Sequence, residues 1–258
     1  MNINDFSLDF FSLRGKRAIV TGGNSGLGRA FATALARAGA DVFIPTLAED
    51  GGETAALVRQ SGVRYAEVLL DITAPGAADA IVERCVSELG GIDILVNSAG
   101  ICHIADFEAF GRPQWDPMIA VNLTAAFELS QAVGRHMIDR GSGKIINIAS
   151  LFAFLGGLGS PAYAATKHGI AGLTRAHADE LGRHNIQVNA IAPGYFRTAI
   201  TAETRSDPVL DARIVDHTPA GRWGDPVDLM GMTVFLASSA SDFVTGQVLA
   251  VDGGYLVR

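Results

Sequence analysis

Short apolar runs alternate with amphipathic stretches along almost the whole chain. The apolar runs predict β-strands, and stretches whose apolar residues recur at helical spacing predict helices. Strands are predicted at 16–21, 41–44, 68–71, 92–96, 144–148, 186–191 and 247–251. Helices are predicted at 26–38, 52–60, 75–89, 115–139, 161–183 and 226–237. Pro45 is expected to end the second strand, since proline cannot donate a main-chain hydrogen bond.

This alternation is typical of an α/β fold with a doubly wound, Rossmann-like parallel sheet, in which right-handed crossovers place helices on both faces. No linker-like break divides the chain, so we expect a single domain over 1–258. Residues 1–13 are expected to form an N-terminal extension. The one long irregular stretch, about 194–225, is expected to be a substrate loop, because connections of this length are often lids.

Composition narrows the class of protein. The chain has 258 residues, of which 48% are hydrophobic, enough for a sizeable core. Its net charge is −7 and it has no run of Lys or Arg, which argues against nucleic-acid and anionic-membrane partners. No apolar stretch is long enough to span a membrane, and Met1–Leu13 lacks the basic start of a signal peptide. Cys85 and Cys102 have no metal-ligand spacing, so we expect reduced thiols, a cytoplasmic location and no metal.

A glycine-rich turn follows the first predicted strand. Residues 21–28 read TGGNSGLG, which places glycines at 22, 26 and 28 directly before an Ala-rich helix. Glycines allow a close approach to a pyrophosphate, whose charge the helix N-terminus attracts. The spacing is wider than G-x-G-x-x-G, and an ordinary strand-to-helix turn is the alternative. Asp71, at the end of the third strand, is either an acceptor for an adenine amino group or a helix N-cap.

Tyr163 and Lys167 are four residues apart in a predicted helix. Residues at this spacing lie on one helix face, so the phenol and the ammonium are expected to project together. A neighbouring cation favours a phenolate and lowers the pKa of the tyrosine, which would give an acid/base group usable near neutral pH. The spacing alone is common, so its weight depends on the rest of the chain.

Several landmarks occur in a fixed order, and together they resemble the short-chain dehydrogenase/reductase family over essentially the whole chain. They are 21–28, the Asn-Ser-Ala-Gly sequence at 97–100, Asn122, Ser150, Tyr163 with Lys167, Pro193-Gly194, and the Val-Asp-Gly-Gly sequence at 251–254. The resemblance implies an NAD(P)-dependent oxidoreductase that acts on a secondary alcohol or ketone. One departure is Ser98, where relatives usually carry a second Asn.

The resemblance also implies a role for each landmark. Tyr163 would exchange a proton with the substrate oxygen, Lys167 would lower the pKa of Tyr163 and bind the nicotinamide ribose, and Ser150 would hydrogen-bond the reacting oxygen. Asn122 would hold a water in a proton relay beyond Lys167. The residues implied in binding the cofactor are Gly22, Asn24, Ser25, Gly26, Leu27, Gly28, Thr46, Asp71, Ile72, Asn97, Ala99, Gly100, Tyr163, Lys167, Pro193, Gly194, Phe196 and Thr198.

The end of the second strand bears on the choice of cofactor. Relatives that select NAD often have an acidic residue there, and those that select NADP have Arg or Lys. This chain has Thr46-Leu47, with acids only at Glu49 and Asp50 and no base to hold a 2′-phosphate. NAD is therefore expected over NADP.

The substrate signals point two ways. The segments 220–224, 228–231, 234–242 and 250–256 are similar to the branch of 2-dehydro-3-deoxygluconate and gluconate dehydrogenases, so a sugar acid or related polyol is the first expectation. The segment after Ser150, however, is uncharged and includes Phe152 and Phe154. His103 and Arg197 are candidates for binding the substrate, and Arg213 is a further candidate for a carboxylate.

Three alternatives remain beside a sugar-acid enzyme. A dehydrogenase of small apolar or cyclic alcohols would suit the two phenylalanines, and a 3-oxoacyl thioester reductase would need a basic patch that this acidic chain does not advertise. A catalytically silent dinucleotide-binding relative is unlikely, because all four catalytic residue types are kept. Relatives are commonly tetramers formed through the two long helices and the last strand, so a homotetramer is expected.

Overall fold

The computed structural model describes residues 7–258. Of the predicted N-terminal extension, residues 1–6 therefore lie outside the described residues. Leu8–Phe11 forms a 3₁₀ turn, and the Ser7 side chain accepts a hydrogen bond from the Asp9 amide at 3.2 Å.

The described residues form one seven-stranded parallel sheet, which confirms the predicted doubly wound fold. The strand order is β3-β2-β1-β4-β5-β6-β7, so the direction of winding reverses between β1 and β4. The strands are β1 (Arg17–Val20), β2 (Asp41–Thr46), β3 (Tyr65–Leu69), β4 (Ile94–Asn97), β5 (Gly143–Ile148), β6 (Ile186–Pro193) and β7 (Val248–Val251). Open α/β sheets bind ligands outside the carboxyl ends of their strands, at the point of reversal.

Helices cover both faces of the sheet. They are α1 (Gly26–Arg37), α2 (Glu53–Arg59), α3 (Ala77–Leu89), α4 (Arg112–Ile119), α5 (Ala125–Arg140), α6 (Pro161–Leu181), α7 (Ala202–Ser206), α8 (Pro208–His217) and α9 (Met230–Ala237). Successive strand residues point to opposite faces. In β1, Ala18 and Val20 pack in one apolar cluster with α1 and α9, whereas Ile19 packs in another with α3 and α5. Burial on both faces explains why the strands read as continuous apolar runs.

The second strand does not end at Pro45. It continues to Thr46, and Pro45 pairs with Val68 of β3. Alternate amides of β2 point toward β1, and the last β1 partner is Ile19, opposite Phe43. Pro45 lies beyond this last pair, at the end of the β1–β2 ladder, where a missing amide interrupts no pairing that follows.

The long helix predicted at 115–139 is interrupted. Helix α4 begins at Arg112 and contains Pro117, and a single π turn, Ala120–Thr124, joins it to α5. π turns of this kind are frequent at functional sites. Asn122 lies within this turn and is buried.

The segment 194–225 contains two helices and is therefore not the wholly irregular loop that the sequence predicts. It contains α7 and α8, and Asp207 caps α8 by accepting hydrogen bonds from the amides of Val209 and Leu210 at 2.8 and 3.2 Å. Its first part is held to its end by a bridge between Phe196 and Gly224.

Candidate active site

The carboxyl ends of β1, β4, β5 and β6 bring most of the predicted site residues to one edge of the sheet. The strand registers pair Val20 with Val96, Asn97 with Asn147, and Ile148 with Ile191. Each of these strand ends leads directly into part of the site, so the parts lie side by side. They are the glycine turn, residues 97–100, Ser150 and Gly194. Neighbouring strands are about 4.8 Å apart.

The glycine turn folds tightly against the start of α1. Gly22 has a φ of +63°, and a Cβ added to Gly28 would overlap the carbonyl oxygen of Gly22. Ser25, the N-cap residue, makes no side-chain capping hydrogen bond. The first amides of α1 are therefore not covered by a side chain, and such amides attract anions. These features fit the diphosphate of a dinucleotide.

Thr21 holds two loops of this edge together, a role that the sequence analysis missed. Its Oγ1 accepts hydrogen bonds from the amides of Ser98 and Ala99, at 2.9 and 3.0 Å. A Cβ on Gly22 would lie 3.1 Å from the Cα of Ala99, so the glycine turn and residues 97–100 are in contact.

A buried polar chain runs from the same edge through the sheet. The Nδ2 of Asn97 donates to Ser130 Oγ at 2.9 Å and to Asn147 Oδ1 at 2.8 Å. The Nδ2 of Asn147 in turn donates to Thr174 Oγ1 of α6 at 2.9 Å. Asn147, a polar residue inside the apolar strand predicted at 144–148, is the feature of the sequence that indicates this buried hydrogen-bond network.

The far end of the glycine turn meets the end of β2. Thr46 is buried and donates from Oγ1 to the carbonyl oxygen of Ala48 at 3.0 Å, and the Asn24 side-chain amide donates to the same oxygen at 2.6 Å. Arg29 lies beside this corner, where it forms ion pairs with Asp50 at 3.3 Å and Glu53 at 2.5 Å.

Asp71 is exposed, and it is not the N-cap of α3, which is Gly76. Its Oδ1 accepts hydrogen bonds from the Thr73 hydroxyl at 2.7 Å and the Thr73 amide at 2.8 Å. These two bonds lower the pKa of the Asp71 carboxyl. The adjacent Ile72 is partly buried against the apolar cluster of α3 and α5.

Tyr163 and Lys167 lie in the first two turns of α6, as their spacing predicts. The Lys167 amine is buried, donates to the carbonyl oxygen of Ile148 at 2.7 Å and lies 5.3 Å from the centre of the Tyr163 ring. Burial lowers the pKa of Lys167 to about 8. Burial also raises the pKa of Tyr163 above its ordinary value, while a hydrogen bond with Ser150 acts in the opposite direction. The pKa of Tyr163 is thus raised in the protein alone, and its lowering by Lys167 stays a prediction.

Ser150 follows β5 and faces Tyr163. Its Oγ accepts a hydrogen bond from the Phe152 amide at 3.3 Å, which fixes the turn after the strand. The Phe152 ring meets the Tyr163 ring edge to face, with centroids 5.8 Å apart. Phe152 therefore belongs to the site, whereas the side chain of Phe154 is 44% exposed.

Asn122 fixes the wall of the site opposite Ser150. Its Oδ1 accepts from the Ile101 amide and its Nδ2 donates to the Ile101 carbonyl oxygen, both at 2.8 Å. A Cβ on Gly100 would lie 3.4 Å from Asn122 Oδ1 and 4.0 Å from Lys167 Nζ. The predicted water relay at Asn122 stays a prediction.

The segment after Ile101 forms one rim of the cleft. His103 is exposed, and its carbonyl oxygen accepts a hydrogen bond from the buried Ser160 at 2.7 Å. The half-buried thiol of Cys102 lies 3.7 Å from the Ser160 hydroxyl, and its charge interaction with Lys167 places it next to the acid/base pair. Sequence reasoning gave Cys102 no role.

The segment 194–225 forms the other rim. The Gly194 amide bonds the Val251 carbonyl oxygen at 3.0 Å, and Phe196 is buried in the core. The Thr198 methyl group would lie 3.9 Å from a Cβ on Gly26, so Thr198 faces the glycine turn. Arg197, a predicted substrate residue, instead pairs with Asp225 at 3.1 Å.

Within residues 7–258, no cluster of three or more His, Cys, Asp or Glu side chains has the geometry to hold a metal ion. The same residues include no helix that combines the length and the apolar character needed to cross a bilayer.

Comparisons with known proteins agree with this geometry. Residues 22–256 match the family model described as enoyl-(acyl carrier protein) reductase. The oxidoreductase YgcW of Escherichia coli K12 is 60% identical over 257 residues, which cover 100% of this chain and 98% of that protein. The 2-dehydro-3-deoxy-D-gluconate 5-dehydrogenase of the same strain is 47% identical, covering 97% of this chain and 99% of that protein.

A solved relative gives the same fold. The gluconate 5-dehydrogenase of Burkholderia cenocepacia J2315, in complex with NADP and tartrate, superposes with a TM-score of 0.93 at 40% identity, covering 98% of this chain and 100% of that chain. Two further solved relatives, each 44% identical, also hold NADP, so these structures do not support the expected preference for NAD. The order of landmarks, the fold and relatives that match over their whole length lead to one conclusion: this chain is an oxidoreductase of the short-chain dehydrogenase/reductase family.

Proposed function

We propose that this chain transfers a hydride between a nicotinamide dinucleotide and a secondary alcohol of a sugar acid or a related polyol. The observation that carries the proposal is the grouping of Ser150, Tyr163 and Lys167 beside the glycine turn. Ser150 acts to lower the pKa of Tyr163, and the Lys167 amine lies 5.3 Å from the centre of the Tyr163 ring. The relatives named as sugar-acid dehydrogenases match almost the whole chain, which supports the substrate class.

The chain's own residues handle the proton. When bound, the dinucleotide supplies the carbon that accepts or returns the hydride. In oxidation, the substrate C–H bond breaks with its electron pair, and the O–H proton passes to the Tyr163 oxygen. Ser150 hydrogen-bonds the substrate oxygen and so stabilises the charge that develops on it. In reduction, the same tyrosine gives its proton back to that oxygen.

Lys167 acts through charge and position. In its protonated form, its ammonium favours the phenolate of Tyr163, an effect that offsets the burial of the phenol. Asn122 holds the Ile101 main chain and so keeps Gly100 against the Lys167 amine. The predicted cofactor residues at 22–28, 97–100 and 193–198 lie at the same edge of the sheet as Ser150, Tyr163 and Lys167. We propose that they hold the dinucleotide.

We propose NAD as the cofactor, on the charge around Thr46. The arginine of this corner, Arg29, is paired with Asp50 and Glu53, which leaves an acidic surrounding for a 2′-phosphate. Three solved relatives hold NADP, which favours NADP as the cofactor instead. The ratio of kcat/KM for NAD to that for NADP, measured on one substrate, decides between them.

A second candidate substrate class is favoured by one contact. The ring of Phe152 covers an edge of Tyr163, which suits a small apolar or cyclic alcohol better than a charged sugar acid. We therefore expect a panel of sugar acids, polyols and cyclic alcohols, followed by the absorbance of reduced cofactor, to separate the two. Turnover of gluconate-type acids supports the first class, and turnover of cyclic alcohols alone would replace it with the second.

We also propose a cytoplasmic homotetramer, in which α5, α6 and β7 contact other copies. Phe127 of α5 is 40% exposed and stacks on His177 of α6, with centroids 6.3 Å apart, which gives these two helices a shared apolar surface. Light scattering at micromolar concentration tests the assembly, and a monomer mass would count against it.

A further inference from the structure

Arg213 lies on α8, in the rim formed by residues 194–225, and its guanidinium has no ion-pair partner within residues 7–258. Within the same residues, its side chain makes no hydrogen bond. The other arginines of this rim are engaged: Arg197 with Asp225, Arg205 with the Thr198 carbonyl oxygen and Arg222 with Asp228. A free guanidinium next to a cleft is available to an anionic ligand.

Contacts on either side of Arg213 fix where it lies. The Oδ1 of Asp211 accepts a hydrogen bond from Trp223 Nε1 at 2.7 Å, and the ring of His217 lies 4.3 Å from that of Tyr255. The rings of Trp223 and Tyr255 both pack on Tyr195, at centroid distances of 5.5 Å and 5.1 Å. These three side chains form an aromatic cluster. Arg213 lies between these two contacts along the helix and on the same face as His217.

Charge supports this placement. Burial raises the pKa of the Tyr195 hydroxyl to about 12, and the positive charge of Arg213 acts against that rise. Two carboxylates near this aromatic cluster have other partners. Asp211 accepts from Trp223, and Asp252 accepts from the amides of Gly254 and Leu256.

The aromatic cluster of Tyr195, Trp223 and Tyr255 lies near Ser150. The register of β5 and β6 pairs Ile148 with Ile191, so Ser150 lies beside Pro193, about 4.8 Å away across the sheet. Tyr195 is the second residue after Pro193. Arg213 therefore lies on the β6 side of Ser150, whereas His103 follows β4, on the other side of β5.

We propose that Arg213 binds the substrate carboxylate and makes the site favour a sugar acid over the matching neutral polyol. This rests on the proposed function. A guanidinium presents two parallel N–H donors to a carboxylate, which gives both affinity and orientation. Binding the carboxylate at the β6 rim holds the far end of the substrate while Ser150 and Tyr163 hold the reacting oxygen. His103, across the cleft, is then not the main carboxylate partner.

The test is a binding measurement, made by calorimetry with saturating reduced dinucleotide so that no turnover follows. Gluconate and glucitol, its neutral polyol, are titrated into wild type, Arg213→Ala, Arg213→Lys and His103→Ala. Arg84→Ala, which removes an exposed arginine of α3, is the charge-matched control. Arg213 is exposed, so the variants are expected to fold, and circular dichroism checks this.

Arg213→Ala is expected to weaken gluconate binding about tenfold or more and to leave glucitol binding within twofold. Arg213→Lys should recover part of the loss, and Arg84→Ala should bind as wild type. Gluconate binding within twofold of wild type in Arg213→Ala, an equal loss for glucitol, or a loss seen only in His103→Ala would overturn the inference. Wild-type protein that binds no gluconate would also overturn it.

A turnover assay separates this inference from the proposed function. Protein that binds gluconate through Arg213 but oxidises no sugar acid with either dinucleotide would contradict the proposed function and leave the anion site standing. Protein that oxidises gluconate with the same KM in wild type and Arg213→Ala would do the reverse.

Discussion

The buried amine of Lys167 donates a hydrogen bond to the carbonyl oxygen of Ile148, with the two atoms 2.7 Å apart. This bond ties helix α6 to the end of strand β5, two residues before Ser150. It therefore sets the position of Tyr163 relative to Ser150, since Tyr163 lies one turn before Lys167 on the same helix face. Together with the bond from Asn147 to Thr174, this contact holds the acid/base pair beside its hydroxyl partner.

Lys167 should make the stability of the protein depend on pH. Its pKa is about 8 when folded and 10.5 ordinarily, so between these values the unfolded chain binds more protons. The free energy of unfolding is then expected to rise with pH in this window, by up to about 1.4 kcal/mol per pH unit. Urea unfolding of wild type and Lys167→Met at several pH values from 7 to about 10 measures the effect. Equal pH dependence in both proteins would show that folding does not lower the pKa of Lys167.

Alcohol oxidation should become faster as pH rises. The raised pKa of Tyr163 keeps the phenol protonated near neutral pH, so little phenolate is available to accept the substrate proton. We expect kcat/KM for oxidation to rise by up to about tenfold per pH unit above pH 7, and kcat/KM for reduction not to rise. Rates in both directions at constant ionic strength test this. A flat oxidation profile would mean that proton transfer to Tyr163 does not limit the rate.

Gly28→Ala should weaken cofactor binding. The added methyl group would overlap the carbonyl oxygen of Gly22, so the turn must open. We expect the Kd for the dinucleotide, measured by fluorescence titration, to rise about tenfold or more. Gly172→Ala is the matched control, because a Cβ on this glycine of α6 meets nothing within 4 Å. The substitution replaces a residue of low helix propensity by one of high propensity and causes no overlap. Equal affinity in the two variants would place the diphosphate elsewhere.

Thr46→Arg should shift the cofactor preference toward NADP. The added guanidinium would lie at the end of β2, where it could pair with a 2′-phosphate. We expect the ratio of kcat/KM for NADP to that for NAD to rise about tenfold. Thr46→Val separates this effect from the loss of the hydrogen bond to Ala48. An unchanged ratio in Thr46→Arg would remove Thr46 from the choice of cofactor.

The sequence predicts what depends on local pattern. Apolar runs buried on both faces give the strands, and helical spacing places Tyr163 and Lys167 on one face of α6. The end of β2 was missed because whether Pro45 breaks the strand depends on where the neighbouring β1 ends. The π turn places Asn122 where it bonds Ile101, and that contact joins residues distant in sequence.

One element could have been found. Asp207 followed by Pro208 is a helix-start signature, an N-cap followed by proline at the first helical position, and it marks the beginning of α8. The ion pair between Arg197 and Asp225 could not be found from sequence, nor could the absence of an ion pair for Arg213 among residues 7–258. The ion pair depends on the bridge that brings Phe196 to Gly224.

The proposed role of Tyr163 is to exchange a proton with a sugar acid or polyol during hydride transfer. Its most direct test compares wild type with Tyr163→Phe, measuring oxidation of gluconate-type acids by the absorbance of reduced cofactor and dinucleotide binding by fluorescence. We expect kcat to fall by about 10²- to 10⁴-fold while the dinucleotide Kd changes little. Turnover undiminished in Tyr163→Phe would contradict the account.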